Sequence, residues 1–348
     1  LAKSAYARAG VDVGKVKALQ RFMAASLGET FRTRRSGIGS PLMSIGHYSA
    51  LLELGGGRAL TLHTDGVGTK VLVAQAMGKY DTVGIDCVAM TVNDLLCLGS
   101  EPVALLDYLA LEREDDAMVK EILRGLAAGA ELARAPIVGG ETAILGDIIK
   151  GVWGRGFDLA CMGAGVVRKD RVVDGSAIEA GDAVVGVRSS GLHSNGYTLA
   201  RKALLKRHAL GEYVPSLGRT LGEELLVPTA IYVKPALRLL KKVDVHGVAH
   251  ITGGAFTKLT RLTGSRNLCF RLRETEAPPV FAMIAAEASL TPREMYSTFN
   301  MGVGLCAVVP AQQAEEAIGV CRREGFEAEV IGGVTKGSGV RVGNHRLA

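Results

Sequence analysis

The period of apolar and polar positions changes repeatedly along the chain, and each change marks an element. Residues 59–64 (ALTLHT) alternate as a half-buried strand does, and the alternation stops at Asp65. The stretch 84–98 (GIDCVAMTVNDLLCL) is long and apolar enough for a buried helix, with Asp86, Met90, Asn93 and Cys97 recurring on one face at helical spacing. A buried strand is expected over 103–110. An amphipathic helix is expected over 114–134, opened by acidic residues that suit the positive end of its dipole. A short apolar run then enters Gly139 and Gly140, a pair typical of turns, and a strand is expected over 158–167.

Over 169–182 the pattern becomes polar and turn-like, which divides the chain into 1–168 and 169–348. The second part predicts a strand over 183–187, a helix over 195–210 and a helix over 228–243 with Pro228 near its first position. A turn over 252–254 opens a short helix, and a strand (303–309), a helix (312–324) and a strand (327–334) close the chain. Both parts mix helices and strands, so the expected class is two-domain α/β (α+β).

Composition narrows the functions. With 348 residues, 48% of them hydrophobic, the chain can bury two cores, and its 45 glycines follow no period that would suggest collagen or a linker. The net charge of +6 suits nucleic acid or an anionic small molecule. No five basic residues run together and aromatics make up only 5%, so no nucleic-acid partner is expected. The six cysteines form no C-x-x-C pair and sit in apolar settings, as small buried side chains do in a reducing compartment. No apolar stretch of membrane-spanning length and no signal-peptide pattern occurs, so a cytoplasmic protein without membrane attachment is expected.

Four motifs carry candidate chemistry. Asp65, Gly66, Gly68, Thr69 and Lys70 form a loop that resembles a phosphate cradle but lacks the P-loop spacing, and an aspartate precedes its glycines. Asn93 and Asp94 lie in an apolar helix, where a carboxylate is costly unless paired or metal-bound. Gly139, Gly140, Glu141 and Thr142 supply a third carboxylate. On this reading Asp65, Asp94 and Glu141 grip Mg²⁺ that grips phosphates, and Lys70 adds a positive charge for the group in transfer. Asp86 is either a further ligand or a residue of the helix start. The fourth motif, with Ser190, His193, Ser194, Asn195 and Gly196, gathers hydroxyls and N–H groups ahead of a helix, as an anion site or as a plain helix cap. His250 with Thr252, Gly253 and Gly254 repeats that arrangement, which points to a phosphorylated substrate on the second half and a nucleotide on the first.

Taken in order, "YARAGVDV" (6–13), "TDGVGTK" (64–70), "DTVGIDCVAMTVNDLL" (81–96), "EPVALLDYLA" (101–110), "IVGGETA" (137–143), "SSGLHSNGYTLARK" (189–202), "PTAIYVK" (228–234), "HITGGAF" (250–256) and "MYSTFNMGVGL" (295–305) resemble the phosphoribosylformylglycinamidine cyclo-ligase family. Several also occur in a wider superfamily that includes selenophosphate synthetase, thiamine phosphate kinase and a hydrogenase maturation protein; the last two motifs single out the cyclo-ligase.

The resemblance implies a homodimer whose N-terminal strands pair into a shared barrel, followed by a larger C-terminal α/β domain. It implies ATP and Mg²⁺, and closure of formylglycinamidine ribonucleotide to 5-aminoimidazole ribonucleotide with release of ADP and phosphate. By carry-over, Asp65, Asp94 and Glu141 serve Mg²⁺-ATP, the loops at 193–196 and 252–254 line the ribonucleotide, and Lys70, His193 and His250 are the catalytic candidates.

Three departures stand out. Ala255 replaces a third glycine, Ile144-Leu145-Gly146 replaces an acidic residue and a Met-Pro pair, and the N-terminal glycine loop is thin, with Gly37, Gly39, Gly46 and an unexplained His47. No cysteine precedes Cys87 and the chain ends NHRLA, unlike the reactive cysteines of selenophosphate synthetases and the hydrogenase maturation protein. The alternatives are another ATP-using member of the superfamily that phosphorylates a different acceptor, and a non-catalytic nucleotide-binding scaffold, which predicts loss of the carboxylates that this chain keeps.

Overall fold

The computed structural model describes residues 13–348, with side chains from residue 18; the motif over 6–12 lies outside them. The first half consists of α1 (Val13–Gly28), β1 (Ala50–Gly55), β2 (Arg58–Gly66), α2 (Val71–Met77), α3 (Asp81–Leu96), β3 (Glu101–Leu111), α4 (Asp116–Ala133), β4 (Ile137–Ile144) and β5 (Phe157–Arg168). Its strands form one sheet in the order β1-β2-β5-β3-β4, antiparallel except for the β3–β4 pair. The second half begins with β6 (Ala183–Arg188), α5 (Tyr197–Leu204), the small hairpin β7 (Tyr213–Val214) and β8 (Arg219–Thr220), α6 (Leu221–Leu225), α7 (Val233–Lys242) and β9 (Gly247–His250). It continues with α8 (Thr260–Thr263), β10 (Leu268–Leu272), α9 (Pro279–Ala288), α10 (Pro292–Thr298), β11 (Val303–Val309), α11 (Ala314–Arg323), β12 (Ala328–Lys336), β13 (Gly339–Val342) and β14 (His345–Arg346). Its main sheet is seven-stranded, in the order β14-β13-β10-β12-β6-β11-β9. The fold is thus two-domain mixed α/β, with the larger sheet in the second half.

Helix α3 is the hinge of the architecture. From Val83 to Leu96 every residue except Ile85 is buried, because the helix packs on the first sheet, on α4 and on the second domain at once. Gly84 and Gly125 let α3 and α4 meet backbone to backbone: a Cβ at Gly84 would strike the main chain of 122–126, and one at Gly125 the Asp81 carbonyl. The stripe of Asp86, Met90 and Asn93 expected on one face turns toward the second domain, where Asp86 meets Thr229, Met90 meets Asn195, and Asn93 meets Ala230 and Tyr232.

Two expectations are corrected here. The helix placed over 228–243 starts only at Val233, because Thr229 and Tyr232 give their N–H groups to Asp86 and Asn93 across the domain junction rather than to a helix turn. Gly139 and Gly140 form no turn; they lie inside the edge strand β4.

Candidate active site

Asp94 is the centre of a buried polar network between the domains. Strand β9 ends at His250, whose Nδ1–H donates to Asp94 Oδ1 at 2.7 Å, and His63 on β2 brings Nε2 to 3.4 Å from Oδ2. Burial alone would push the Asp94 carboxyl up, but the His250 hydrogen bond and the nearby charge of Lys258 overcome it and hold the group at about 2. Burial keeps His250 neutral, against the pull of Asp94, so its Nε2 faces Asn93 Nδ2 at 3.4 Å as an acceptor. Asn93 also donates to the Ala230 carbonyl at 2.9 Å and accepts from the Tyr232 N–H at 3.0 Å. Both ring nitrogens of His250 are therefore engaged, and the ring is fully buried; it orients Asp94. Asp65, at the end of β2, feels the same charges: desolvation and Asp94 raise its carboxyl, against the Gly66 N–H, His63 and Lys258, which draw it down.

Lys70 has a different position from the one expected. Its side chain is fully buried, with Nζ 2.7 Å from Asp86 Oδ2, 2.7 Å from the Val227 carbonyl and 3.3 Å from that of His193. The two carbonyls take hydrogen bonds from the ammonium and the Asp86 carboxylate neutralises its charge, so the buried group is held by the protein rather than turned toward a phosphate. The other Asp86 oxygen accepts from Thr229 N–H at 2.7 Å and Thr229 Oγ1 at 2.6 Å. Together they clasp one domain to the other. Gly68 (φ 68°) makes the turn from β2 into the helical stretch that carries Lys70 inward, while Gly66 donates to the Asp65 carboxylate at 2.8 Å and exposed Thr69 meets Thr198 at 3.1 Å.

The loop over 189–196 is largely self-engaged. Ser190 Oγ donates to the Pro228 carbonyl at 2.6 Å, Ser194 Oγ pairs with Thr229 Oγ1 at 3.1 Å, and Asn195 Nδ2 approaches Met90 Sδ at 3.9 Å. Gly196 (φ 77°) precedes α5. His193 sits in the left-handed region (φ 62°) and is 1% exposed. Burial, with His250 and Lys70 nearby, pushes its ring well below the ordinary range, so it is neutral. Its Nε2 accepts from Ser190 N–H at 3.3 Å, which puts the proton on Nδ1, a buried donor without a partner among the described residues. The His193 and His250 rings lie 6.4 Å apart. Thr252 and the Gly253–Gly254 turn follow β9 toward this site, Gly253 packing against the Asn195 side chain. Ala255 takes φ 45°, a conformation that favours the glycine it replaces.

The three-carboxylate metal site does not assemble within one chain. Residues opposite each other in a sheet share a face; Asp65, Cys161, Asp107 and Gly140 form one row, and Gly66, Ala160, Tyr108 and Glu141 the next. Glu141 therefore points to the opposite face from Asp65, and it is three strands away, about 14 Å. Gly139, Gly140 and Thr142 are exposed on the same edge strand. No group of three or more His, Cys, Asp or Glu side chains suited to a metal occurs among the described residues. Asp65 and Asp94 remain as a pair, which is what Mg²⁺ needs when phosphates and water complete its shell.

Four neighbours of Asp94 escaped the sequence reading or were left without a role. His47 and Tyr48 come from the loop before β1, Lys258 and Arg261 from the helical turn that leads into α8 and from α8 itself, and only the fold joins them. Tyr48 is buried, with Lys258 Nζ 5.7 Å and Arg261 Cζ 5.1 Å from its ring centroid. His47 stands edge-on to Tyr48 at 5.5 Å, and burial with Arg261 nearby pushes its ring down to about 4. The glycines at 37, 39 and 46 are the sign in the sequence that this loop folds back tightly, and all three take positive φ; Gly39 and Ser40 bond to Glu53 on β1.

The family descriptions that match are AIR synthase related protein, N-terminal domain, over 46–167 and C-terminal domain over 179–344. Relatives named phosphoribosylformylglycinamidine cyclo-ligase are 49% identical over 344 residues in Thermococcus gammatolerans and 47% over 340 in Pyrococcus furiosus, covering 98% of each chain in both cases. Among solved structures, AaThiL complexed with AMPPCP and TMP gives a TM-score of 0.66 at 21% identity over 95% of both chains. T. maritima PurL complexed with FGAR gives 0.60 at 18% identity over 93% of this chain and 49% of that one. At such identities the likeness is one of fold.

Proposed function

The chain belongs to the phosphoribosylformylglycinamidine cyclo-ligase family of AIR synthase related proteins and is a ligase; we propose that it closes formylglycinamidine ribonucleotide to 5-aminoimidazole ribonucleotide at the Asp94 site, in purine biosynthesis, using ATP and releasing ADP and phosphate. An amide-type oxygen leaves poorly. Transfer of a phosphoryl group from ATP to that oxygen turns it into phosphate; the neighbouring nitrogen then attacks the activated carbon, the ring closes and phosphate departs. Such chemistry asks mainly for positioning and charge neutralisation.

The observation that carries the reading is Asp94, a carboxylate held ionised between the domains, with Asp65 beside it and Lys258 opposite. Asp65 and Asp94 would hold Mg²⁺, which would neutralise the phosphates of bound ATP. His250 and Asn93 fix Asp94 in place, and the Nδ1–H of His193 is the spare donor for a substrate oxygen. Lys70 acts as a positioning residue through the domain clasp.

Two copies would complete the protein. One face of the first sheet carries Val103, Leu106, Tyr108 and Met162, each 37–42% exposed, next to the free edge of β4. Pairing two such sheets into a barrel would cover these apolar side chains and bring Glu141 to the junction of the copies. Light scattering on the purified protein checks this, and a monomer at micromolar concentration would refute it. No described helix is long and apolar enough to cross a membrane.

The function is tested with Mg²⁺-ATP and formylglycinamidine ribonucleotide, following ADP and, by diazotisation colour, the aminoimidazole. Both should appear together, and Asp94→Asn should lower both by at least about 100-fold, the scale of losing a transition-state electrostatic group. ADP without the aminoimidazole would point to another acceptor within the superfamily. Absence of both products would favour a scaffold.

A further inference from the structure

The functional reading leaves the cationic cluster around Tyr48 without a task. His47, Lys258 and Arg261 all lie within 6 Å of the Tyr48 ring centroid, at 5.5, 5.7 and 5.1 Å. Arg261 makes no ion pair among the described residues, and both nitrogens of His47 are closed off from solvent with no hydrogen-bond partner. Lys258 donates to Thr252 Oγ1, and the Tyr48 hydroxyl donates to the Lys258 carbonyl at 3.2 Å, so the cluster is tied to the loop that follows β9. The carboxylates that act on it are Asp94 and Asp65 on Lys258, and Asp94 and Asp174 on His47. Asp94 is engaged with His250, and Asp174 accepts from Ser176 N–H at 2.8 Å.

The alternative seat for a substrate phosphate, the loop over 189–196, offers no charged side chain and, of its polar side chains, a spare donor at His193 Nδ1. The hydroxyls of Ser190 and Ser194 are spent on Pro228 and Thr229, and the Asn195 amide lies against Met90. The molecule thus keeps one neutral spare donor, His193 Nδ1–H, in that loop, and an unsatisfied, positively charged cluster around Tyr48.

We propose that His47, Lys258 and Arg261 seat the 5′-phosphate ester of the ribonucleotide substrate. A phosphate monoester is close to a dianion at neutral pH and accepts several charge-assisted hydrogen bonds, matching two fixed cations and an imidazole donor. The placement rests on the cyclo-ligase reading and puts the ester on the opposite side of Asp94 from the Lys70–Asp86 clasp.

Steady-state kinetics with each substrate varied separates the two sources of phosphate. In His47→Phe and Arg261→Met, KM for the ribonucleotide should rise about tenfold or more, as when a charged hydrogen bond is lost, with KM for ATP unchanged and kcat nearly so. Arg261→Lys should recover part of the loss. A rise in KM for ATP, or no change in either, overturns the proposal. Should Arg261→Met not fold, Arg261→Gln takes its place.

A second measurement does not depend on the reaction. Ribose 5-phosphate is titrated into protein with ¹⁵N-labelled histidine rings, the His47 signals being identified by their absence in His47→Phe. They should shift saturably in the wild type and stay fixed in Arg261→Met. Unmoved wild-type signals overturn the phosphate seat even if the aminoimidazole is formed. Shifting signals without aminoimidazole formation support the seat and refute the cyclo-ligase reading instead.

Discussion

Helix α3 carries two buried aspartates eight residues apart, and both reach across to the second domain, yet their surroundings differ. Asp86 pairs with the Lys70 ammonium and accepts twice from Thr229, while Lys70 donates to the Val227 and His193 carbonyls, so the charges and donors there are met within the protein. Asp94 meets His250 and His63, and close by stand Lys258, Arg261, His47 and the unpartnered Nδ1 of His193. A cluster whose hydrogen bonds close on themselves holds a fold together. A cluster that keeps charge and donors in excess is arranged for something that arrives. The sequence offered both as candidate chemistry, and only the completeness of the partners tells them apart.

The difference can be broken most forcefully at the closed cluster. Lys70→Met leaves Asp86 buried without its counter-ion and should cost about 3–5 kcal/mol of stability, read from the urea midpoint. Asp86→Asn in the same chain keeps an acceptor for Thr229 and should restore more than half of that loss. If Lys70→Met kept wild-type stability while abolishing turnover, the clasp would be wrong and Lys70 would be catalytic.

Acid sharpens the comparison at the open cluster. His47 and His193 both titrate below their ordinary value in the folded chain, His47 at about 4, mainly because burial disfavours the charged ring. The unfolded chain then takes up protons first, so their contribution is intact above about pH 6.5 and is lost as the pH falls toward 4. Stability should drop by up to about 1.4 kcal/mol per pH unit for each such histidine within that window. His47→Phe should flatten the slope by one histidine's share. His246 works in the opposite sense: burial lowers it, but its bond to Asp182 raises it further, so its contribution is present at acid pH and is lost as the pH rises through its raised value. An urea midpoint that does not change between pH 7 and pH 5 would contradict this account.

The smallest effect is expected at Ala255. It is fully buried at φ 45°, and Ala255→Gly should relieve about 1 kcal/mol of backbone strain at the cost of a buried methyl, leaving the melting temperature within a few degrees of wild type. A large destabilisation would mean that the methyl is needed to pack the turn after β9.

Periodicity determined the elements that pack by their own pattern: β2, α3, β3, α4, β5, β6 and β11 lie close to where the chain's alternations place them, and Asp86, Met90 and Asn93 share one face of α3 as their spacing implies, while the structure decided that this face meets the second domain. The Asp94–His250 pairing was within reach, since an aspartate in an apolar helix requires a partner. What the tertiary structure decided was which residues meet. Lys70 turned inward because the clasp buries its ammonium, Glu141 separated from Asp65 because strand register sends alternate residues to opposite faces, and β4 became an edge strand despite its glycine pair. His47, Lys258 and Arg261 have no local pattern at all; a span of 210 residues separates Tyr48 from the Lys258 carbonyl it binds, and only the packing of one domain on the other brings them together.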